Sequence, residues 1–267
     1  MQNAKLSRKL TEGGLMLAIA TVLSLLKVFE LPYGGSITFA SMLPMVIYAY
    51  RYGWSWGILA GLAYGVTQML FGLNNLSYAT SAAAVIAIIL LDYLFAFTST
   101  AFGAGFRKTE RHGLIWGALC ACVVRYAFHV IAGCTVWAGL SIPTEEALVY
   151  SLAYNATYMI PETIVTVVAA AYLGSVLDFR KISLTPAKKP ETTSGGYALN
   201  VLSGLAALAA VVVLAALVFP SLQNAETGEF DITGLAGVNW TAALITVAAA
   251  AVVILGLTIA KTAGKKR

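Results

Sequence analysis

Long apolar stretches recur along almost the whole chain, separated by short segments that contain Gly, Pro, Asn or charged residues. A run of more than about 17 apolar residues is long enough to cross a hydrocarbon core about 30 Å thick. Charged residues make up only 11% of the 267 positions, whereas ordinary soluble domains carry about 25%. Disorder needs low hydrophobicity, and 59% of this chain is hydrophobic. The pattern excludes both classes and predicts an all-α polytopic membrane protein.

Composition divides the chain into three regions. Six apolar stretches come first, and two stretches rich in Ala, Val and Leu follow a polar segment. The predicted spans lie near residues 13–30, 38–50, 54–72, 80–106, 112–140, 148–178, 197–219 and 237–260. The second is short, so we expect it to tilt or to cross only partly. We therefore expect a six-helix domain at 1–179, a polar cytoplasmic linker at 180–196 and a two-helix membrane extension at 197–267.

The positive charges predict the orientation in the membrane. Fifteen of the 17 Lys and Arg residues fall at the N-terminus, in alternate loops or in the C-terminal tail. This segregation is the positive-inside pattern, and it predicts eight spans with both termini in the cytoplasm. It also accounts for the formal charge of +5 without a nucleic-acid partner. The two exceptions are Lys27, whose stem is expected to snorkel to the outer interface, and Arg125, which lies inside the fifth span.

Ionisable residues inside the predicted spans are few, and each must face the protein interior, water or a partner charge. These residues are Asp92, Arg125, His129 and Glu162. In the fifth span, residues at every fourth position share one helical face, namely Arg125, His129, Gly133 and Trp137. The sixth span repeats this spacing with Tyr150, Tyr154, Tyr158 and Glu162, beside Asn155, and the fourth contributes Asp92 and Tyr93. Together they predict an aromatic-walled polar pocket for a cationic or hydrogen-bonding heterocycle.

Each of these residues also has a structural interpretation. Asp92 can pair with Arg125, and Arg125 with Asp92 or Glu162, without touching a ligand. A single histidine on an apolar helix is often a satisfied core residue, which applies to His129. Trp and Tyr near the outer ends of spans are often interfacial. Glu162 follows Pro161 and can satisfy backbone donors at a helix kink.

The sequence lacks the motifs of membrane enzymes and ATPases. It has no G-x-x-x-x-G-K-[ST] phosphate loop and no H-E-x-x-H pair. Two histidines cannot build a His-rich metal site, and the three cysteines lie in one apolar stretch as small hydrophobes. We therefore expect no catalysis, no metal and no cofactor.

Small residues recur every fourth position on the first span, at Gly14, Ala18 and Val22. Such faces let helices approach closely in lipid. Packing within the chain explains this spacing as well as a partner protein does.

Four local motifs, in order over about two-thirds of the chain, resemble the thiamine-specific substrate-binding (S) components of energy-coupling-factor transporters. The motifs are Gly34-Gly35-Ser36-Ile37 with Pro44 and Arg51-Tyr52-Gly53, then Leu91–Phe97, then Val124–Gly133 with Trp137, and finally Tyr150-Ser151 with Tyr154-Asn155. The resemblance implies a six-helix S-component fold that captures thiamine from outside with high affinity. The two C-terminal helices depart from this pattern.

The resemblance also implies roles for individual residues. Asp92 would contact the aminopyrimidine, and Asn155 would form a hydrogen bond with the ligand. Tyr93, His129, Trp137 and Tyr150 would enclose the two rings, near Gly133. Many relatives carry glutamate where this chain has Asp92, so the pocket geometry is expected to shift. Tyr33 and Tyr78 are candidates for the place of a loop tryptophan, and Arg125, Tyr154 and Glu162 are further pocket candidates.

Energy would come from other subunits under this resemblance. S components dock onto a transmembrane coupling protein that two cytoplasmic ATPases power, and Gly14, Ala18 and Val22 match the docking face. The chain would then be a plasma-membrane transporter subunit whose transported ligand, thiamine, is not a cofactor. Three alternatives remain open at this stage: an S component for another vitamin, a self-sufficient secondary transporter coupled to protons through Asp92 or Glu162, and a structural or sensory membrane protein. The absence of an internal repeat weighs against the second alternative.

Overall fold

The computed structural model describes residues 2–108, 112–139, 144–181, 183–187, 194–224 and 230–263, and these are largely helical. The long helices are α1 (Gln2–Leu25), α2 (Leu43–Tyr52), α3 (Trp54–Phe71), α4 (Ala82–Phe106), α5 (Gly113–Gly139), α6 (Thr144–Val176), α7 (Ser194–Val218) and α8 (Trp240–Ala263). The strands form two small antiparallel pairs, β1 (Lys27–Glu30) with β2 (Ser36–Thr38), and β3 (Leu177–Asp178) with β4 (Thr185–Pro186). The chain is thus an all-α polytopic membrane protein, as the sequence predicts.

Five of the described helices, α4 to α8, are long and apolar enough to cross a membrane. Their outward apolar side chains are exposed, most completely on α8, where Leu244 and Val252 are 68% and 69% accessible. Exposed apolar surface of this extent suits a hydrocarbon environment rather than water. The last two helices pack on one another and, through α7, on α6.

The first two predicted spans differ most from the structure. Residues 26–30 continue the apolar run of the first span, but the helix ends at Leu25 and β1 pairs with β2. The backbone polar groups of this segment are therefore paired in a hairpin rather than in a helix. The second helix begins at Leu43 instead of 38, and its ten residues span only about 15 Å. Because nine of them are buried, α2 is a core element that the surrounding helices enclose.

Helix α4 is continuous but irregular. It is α-helical at its start, π-helical over Ile88–Phe95 and 3-10 over Ser99–Phe106. A π-helical turn changes the direction in which side chains project and often occurs at functional sites. Glycine allows close approach here, since a Cβ at Gly65 of α3 would lie 2.7 Å from the carbonyl oxygen of Tyr93. The π segment thus rests directly on α3, with Asp92 and Tyr93 within it.

Arg51, at the end of α2, is a buried structural residue rather than a loop cation. Its guanidinium forms an ion pair with Glu12 of α1 and donates to the carbonyl oxygens of Phe179 and Lys181 at 2.9 and 3.2 Å. Tyr52 donates to the same Glu12 carboxylate at 2.5 Å. These contacts join α1, α2 and the segment after α6 at one end of the six-helix domain.

Two smaller expectations also change. Lys27 does not snorkel from a helix, because it lies in β1 and forms an ion pair with Glu30 at 2.5 Å. The polar segment after α6 contains the β3–β4 pair, and α7 begins at Ser194, slightly before the expected 197.

Candidate functional site

A cavity of about 750 Å³ lies between the β1–β2 hairpin and helices α3 to α6. This volume is in the range of small-molecule sites. Its deeper polar lining comes from α4, α5 and α6, which contribute Asp92, Tyr93, Arg125, His129, Gly133, Tyr154, Asn155, Tyr158 and Glu162. The hairpin and the end of α3 contribute Tyr33, Gly35, Thr38, Ser41, Gln68, Asn75 and Tyr78.

A chain of three side chains crosses the cavity wall from α5 to α4. The Nε of Arg125 donates to Nε2 of His129 at 2.9 Å, and Nδ1 of His129 lies 2.6 Å from Oδ1 of Asp92. Arginine stays protonated, so Nε2 of His129 is the acceptor and its single proton sits on Nδ1, facing the carboxylate. Within the described residues no hydrogen bond reaches Oδ2 of Asp92. That oxygen is therefore available to a donor inside the cavity.

Arg125 does not pair directly with either carboxylate in the described part of the chain, contrary to the structural expectation. Its guanidinium carbon lies 4.5 Å from the centroid of Phe97, and its Nη1 donates to Sδ of Met42 at 3.1 Å. The cation is thus held over an aromatic face while its Nε–H serves His129. This arrangement fixes the histidine ring.

Glu162 connects α6 to strand β2. Its carboxylate accepts hydrogen bonds from the backbone N–H of Thr38 at 2.6 Å and from Oγ1 of the same residue at 2.7 Å. The hydroxyl of Ser41 lies 2.9 Å from Thr38 Oγ1. Pro161 lies inside α6, but the donors that satisfy Glu162 come from the hairpin rather than from a kink in its own helix. Glu162 therefore fixes the hairpin over the cavity.

Tyrosines form the aromatic wall. The Tyr33 ring lies 4.9 Å from that of Tyr78 and 6.2 Å from that of Tyr154, both edge-on. Tyr154 packs against Tyr158 at 5.8 Å and accepts the N–H of Gly35 at 2.9 Å. Edge-to-face pairs of this kind stabilise an arrangement beyond the area they bury, so the wall is largely pre-formed.

Asn155 lies at the junction of α5 and α6. Its Nδ2 donates to the carbonyl oxygen of Ser151 at 2.8 Å, and its Oδ1 accepts from the hydroxyl of Tyr158 at 2.6 Å. A Cβ at Gly133 would lie 3.3 Å from Asn155 Nδ2 and would collide with Ser151 Oγ. Glycine at this position therefore leaves the room that Ser151 and Asn155 occupy beside α5.

Most of the predicted pocket residues line this one cavity, including Tyr33 and Tyr78. Tyr150 does not, because its hydroxyl donates to the carbonyl oxygen of Phe230 at 2.6 Å and its ring packs against that of Phe230 at 5.2 Å. The side chain of Trp137 lies outside the described residues. Gly14, Ala18 and Val22 are on the outside of α1, all exposed.

Several lining residues are absent from the sequence prediction. Asn75 donates to the Tyr93 hydroxyl at 2.9 Å, and that hydroxyl donates to the carbonyl oxygen of Gly72. Gln68 donates to Ser24 at 2.9 Å. The only sequence signal for these residues is a glutamine, Gln68, followed by the pair Asn74-Asn75 at the end of an apolar stretch. Such polar residues are typical of any loop.

The charges of the lining favour a cation. Lys27 and Glu30 neutralise each other as an ion pair. Of the remaining described charged residues that line the cavity, two are acidic, Asp92 and Glu162, and one is basic, Arg125. The formal balance is one negative charge, complementary to a monocationic ligand.

Comparison with known proteins gives two matches. The family model described as "Thiamine transporter protein (Thia_YuaJ)" matches residues 10–179. A curated relative, "Thiamine transporter ThiT" of Bacillus subtilis (strain 168), is 30% identical over 187 residues. That alignment covers 65% of this chain and 93% of the relative. The family match ends at the close of the six-helix part, so α7 and α8 lie beyond it.

Proposed function

The chain belongs to the thiamine transporter protein family, and we propose that it is the high-affinity thiamine-binding specificity subunit of an energy-coupling-factor importer. On this proposal it resides in the plasma membrane with both termini in the cytoplasm. It binds thiamine as transported cargo and performs no catalysis.

The observation that carries the proposal is the Asp92–His129 pair on the wall of the cavity, 2.6 Å apart. Thiamine has an aminopyrimidine with a donor amine and acceptor ring nitrogens. A carboxylate whose second oxygen points to no described partner suits the amine, and Oδ1 of Asn155, which accepts one hydrogen bond from Tyr158, can accept a second from the ligand. His129 holds the carboxylate in place through its Nδ1–H.

The thiazolium end of thiamine is a cation, and the cavity offers two features that attract one. Tyr33, Tyr78 and Tyr154 line the cavity as a cluster of aromatic rings, and aromatic faces bind cations. The acidic excess of the lining adds a long-range attraction. Arg125 is directed toward Phe97 and His129, which reduces its repulsion of the cation.

Energy for transport must come from outside this chain on the proposal, since the sequence has no phosphate loop. We assign it to a transmembrane coupling protein with two cytoplasmic ATPases. The exposed small-residue face of α1 supports this assignment: an added Cβ at Gly14 meets nothing within 4 Å, so a partner helix can approach closely there.

Calorimetric titration of the purified chain with thiamine tests the proposal. We expect tight 1:1 binding, and Asp92→Asn should weaken it about 10- to 100-fold, since a hydrogen bond to a charged group contributes ~1.5–3 kcal/mol. Asp178→Asn is the matched control, because Asp178 lies outside the cavity and pairs with Arg180 at 3.1 Å. Equal binding by wild type and Asp92→Asn would contradict the site, and binding of riboflavin or biotin in place of thiamine would contradict the substrate.

Vesicle transport separates the proposal from self-sufficient secondary transport. Vesicles that contain this chain alone should take up no thiamine under a pH gradient. Vesicles that also contain the coupling protein and ATPases should take it up only with ATP. Uptake by the chain alone would replace the importer assignment.

A further inference from the structure

The connection between α7 and α8 lies against the six-helix domain at the cavity. Its described parts are two 3-10 turns, Phe219–Leu222 and Ile232–Gly237, with a bridge between Gln223 and Phe230. The backbone N–H of Asp231 donates to the Leu222 carbonyl oxygen at 2.9 Å, which holds the two parts together.

Burial distinguishes this connection from the helices that carry it. In the 18-residue apolar stretch with which α7 or α8 could cross a membrane, only 6% is buried. By contrast, Phe219, Leu222 and Phe230 in the connection are almost fully buried, with 2%, 0% and 4% of their surface exposed. These three residues belong to the same buried apolar cluster as Leu31, Tyr154 and Tyr158. The extension therefore contacts the six-helix domain through its connection as well as through the packing of α7 on α6.

Three aromatic contacts position the connection. The Phe219 ring lies 4.3 Å from that of Phe29 on β1. The Phe230 ring lies 5.0 Å from that of Tyr154, a cavity residue, and 5.2 Å from that of Tyr150. Tyr150 also donates its hydroxyl to the Phe230 carbonyl. Phe230, a residue of the extension, therefore packs against the cavity residue Tyr154 and helps to hold it in position.

Gln223 reaches the cavity itself. It is part of the cavity lining, and it is adjacent to the buried Leu222 and bridged to Phe230, so its backbone is fixed. Within the described chain its side-chain amide has no hydrogen-bond partner. An amide provides two donors and an acceptor, which a polar ligand in the cavity can use.

We infer that the C-terminal extension completes the binding site: Gln223 contacts the ligand, and Phe230 positions Tyr154 and closes the cavity on that side. This inference rests on the proposed function for the identity of the ligand, thiamine. It assigns a binding role to a region beyond residues 10–179, which the family match covers.

Thiamine binding tests Gln223. In the full-length chain, Gln223→Ala should raise the Kd for thiamine about fivefold, the effect of one hydrogen bond. The unfolding temperature should stay unchanged because the side chain is exposed. The matched control is Leu244→Ala on the exposed face of α8, which should alter neither quantity. A Kd for Gln223→Ala equal to that of the wild type would overturn the ligand contact.

Cysteine labelling tests Phe230 without any ligand. The three native cysteines, Cys120, Cys122 and Cys134, are replaced by alanine, and Val136→Cys places one thiol in the cavity lining. Phe230→Ala should speed its reaction with a membrane-impermeant maleimide several-fold. Phe230→Tyr, which keeps the ring, should restore the slow rate, and Leu244→Ala should leave it unchanged.

The two readouts separate the inference from the proposed function. If the wild type binds no thiamine, the proposed function fails, and the labelling rate alone decides whether Phe230 closes the cavity. Faster labelling in Phe230→Ala with rescue by Phe230→Tyr supports closure. Labelling at the parental rate overturns it.

Discussion

His129 donates its Nδ1–H to Asp92 across 2.6 Å, and this bond links α5 to the π-helical part of α4. The orientation follows from Arg125, whose Nε donates to the other ring nitrogen. The tautomer of the histidine, and with it the position of the carboxylate, is therefore determined by a cation on the same helix one turn away. A ligand that approaches Asp92 meets an acceptor that is already oriented, which reduces the ordering cost of binding.

Replacing His129 by alanine should weaken thiamine binding about 10-fold or more, because Asp92 loses the donor that orients it and Arg125 loses its acceptor. Calorimetric titration measures the effect. His112→Ala is the control, since the chain contains two histidines and His112 is exposed at the start of α5. Thiamine affinity retained in His129→Ala would show that Asp92 needs no such support.

On α5, the spacing of four residues predicts one shared helical face. Arg125, His129 and Gly133 all line the cavity, because a straight helix keeps such residues on one face. Tyr150 follows the same rule on α6 but packs on Phe230 instead. Its partner comes from a connection 80 residues later, and no local pattern reports a contact at that distance.

Other parts of the structure depend on tertiary packing that the sequence pattern does not contain. Residues 88–95 are uniformly apolar around Asp92, so their periodicity carries no sign of a π-helical turn. Arg51 fits the positive-inside pattern as a loop cation, yet Glu12 and two carbonyl groups bury it. The charge count predicts the side of the membrane, and packing decides whether a cation there is solvated.

Gly35 tests how tightly the tyrosine wall is packed. A Cβ at this position would lie 2.7 Å from Cδ1 of Tyr158 and 2.8 Å from the hydroxyl of Tyr154. Gly35→Ala should therefore displace both rings, lower the unfolding free energy by about 1–3 kcal/mol and weaken thiamine binding. Thermal unfolding in detergent and calorimetric titration measure the two effects.

Gly14→Ala is the matched control for this substitution. A Cβ there meets nothing within 4 Å, and alanine favours a helix over glycine by about 1 kcal/mol. The control should be neutral or stabilising and should bind thiamine normally. Equal unfolding temperatures for the two variants would show that Tyr154 and Tyr158 move aside without a loss of stability.

The buried pair of Arg51 and Glu12 should contribute strongly to stability. Arg51→Met leaves the Glu12 carboxylate, only 14% exposed, without its nearer cationic partner and with Arg8 at 4.0 Å as the remaining one. Removal of one member of a buried ion pair costs about 3–5 kcal/mol, so the unfolding temperature should fall markedly.

Arg180→Met provides the comparison. Arg180, whose side chain is 37% exposed against 3% for Arg51, pairs with Asp178 near the surface and lowers the pKa of that carboxyl below its usual value through a hydrogen bond. Exposed pairs contribute only about 0–1 kcal/mol, so this variant should unfold close to the wild-type temperature. A similar fall in unfolding temperature in Arg51→Met and Arg180→Met would mean that the Arg51 contacts are not specifically stabilising.

The outer face of α1 should separate binding from transport. Gly14→Leu adds a large side chain to an exposed, small-residue surface where an added Cβ meets no atom within 4 Å, so thiamine affinity should stay within about twofold of the wild type. If a coupling protein packs against Gly14, Ala18 and Val22, the same variant should lose most ATP-dependent uptake in vesicles that contain the complete importer, because close helix contact needs small residues. Ala249→Leu, on the exposed surface of α8, adds the same bulk elsewhere and should transport normally. Wild-type uptake by Gly14→Leu would place the coupling surface on another part of the molecule.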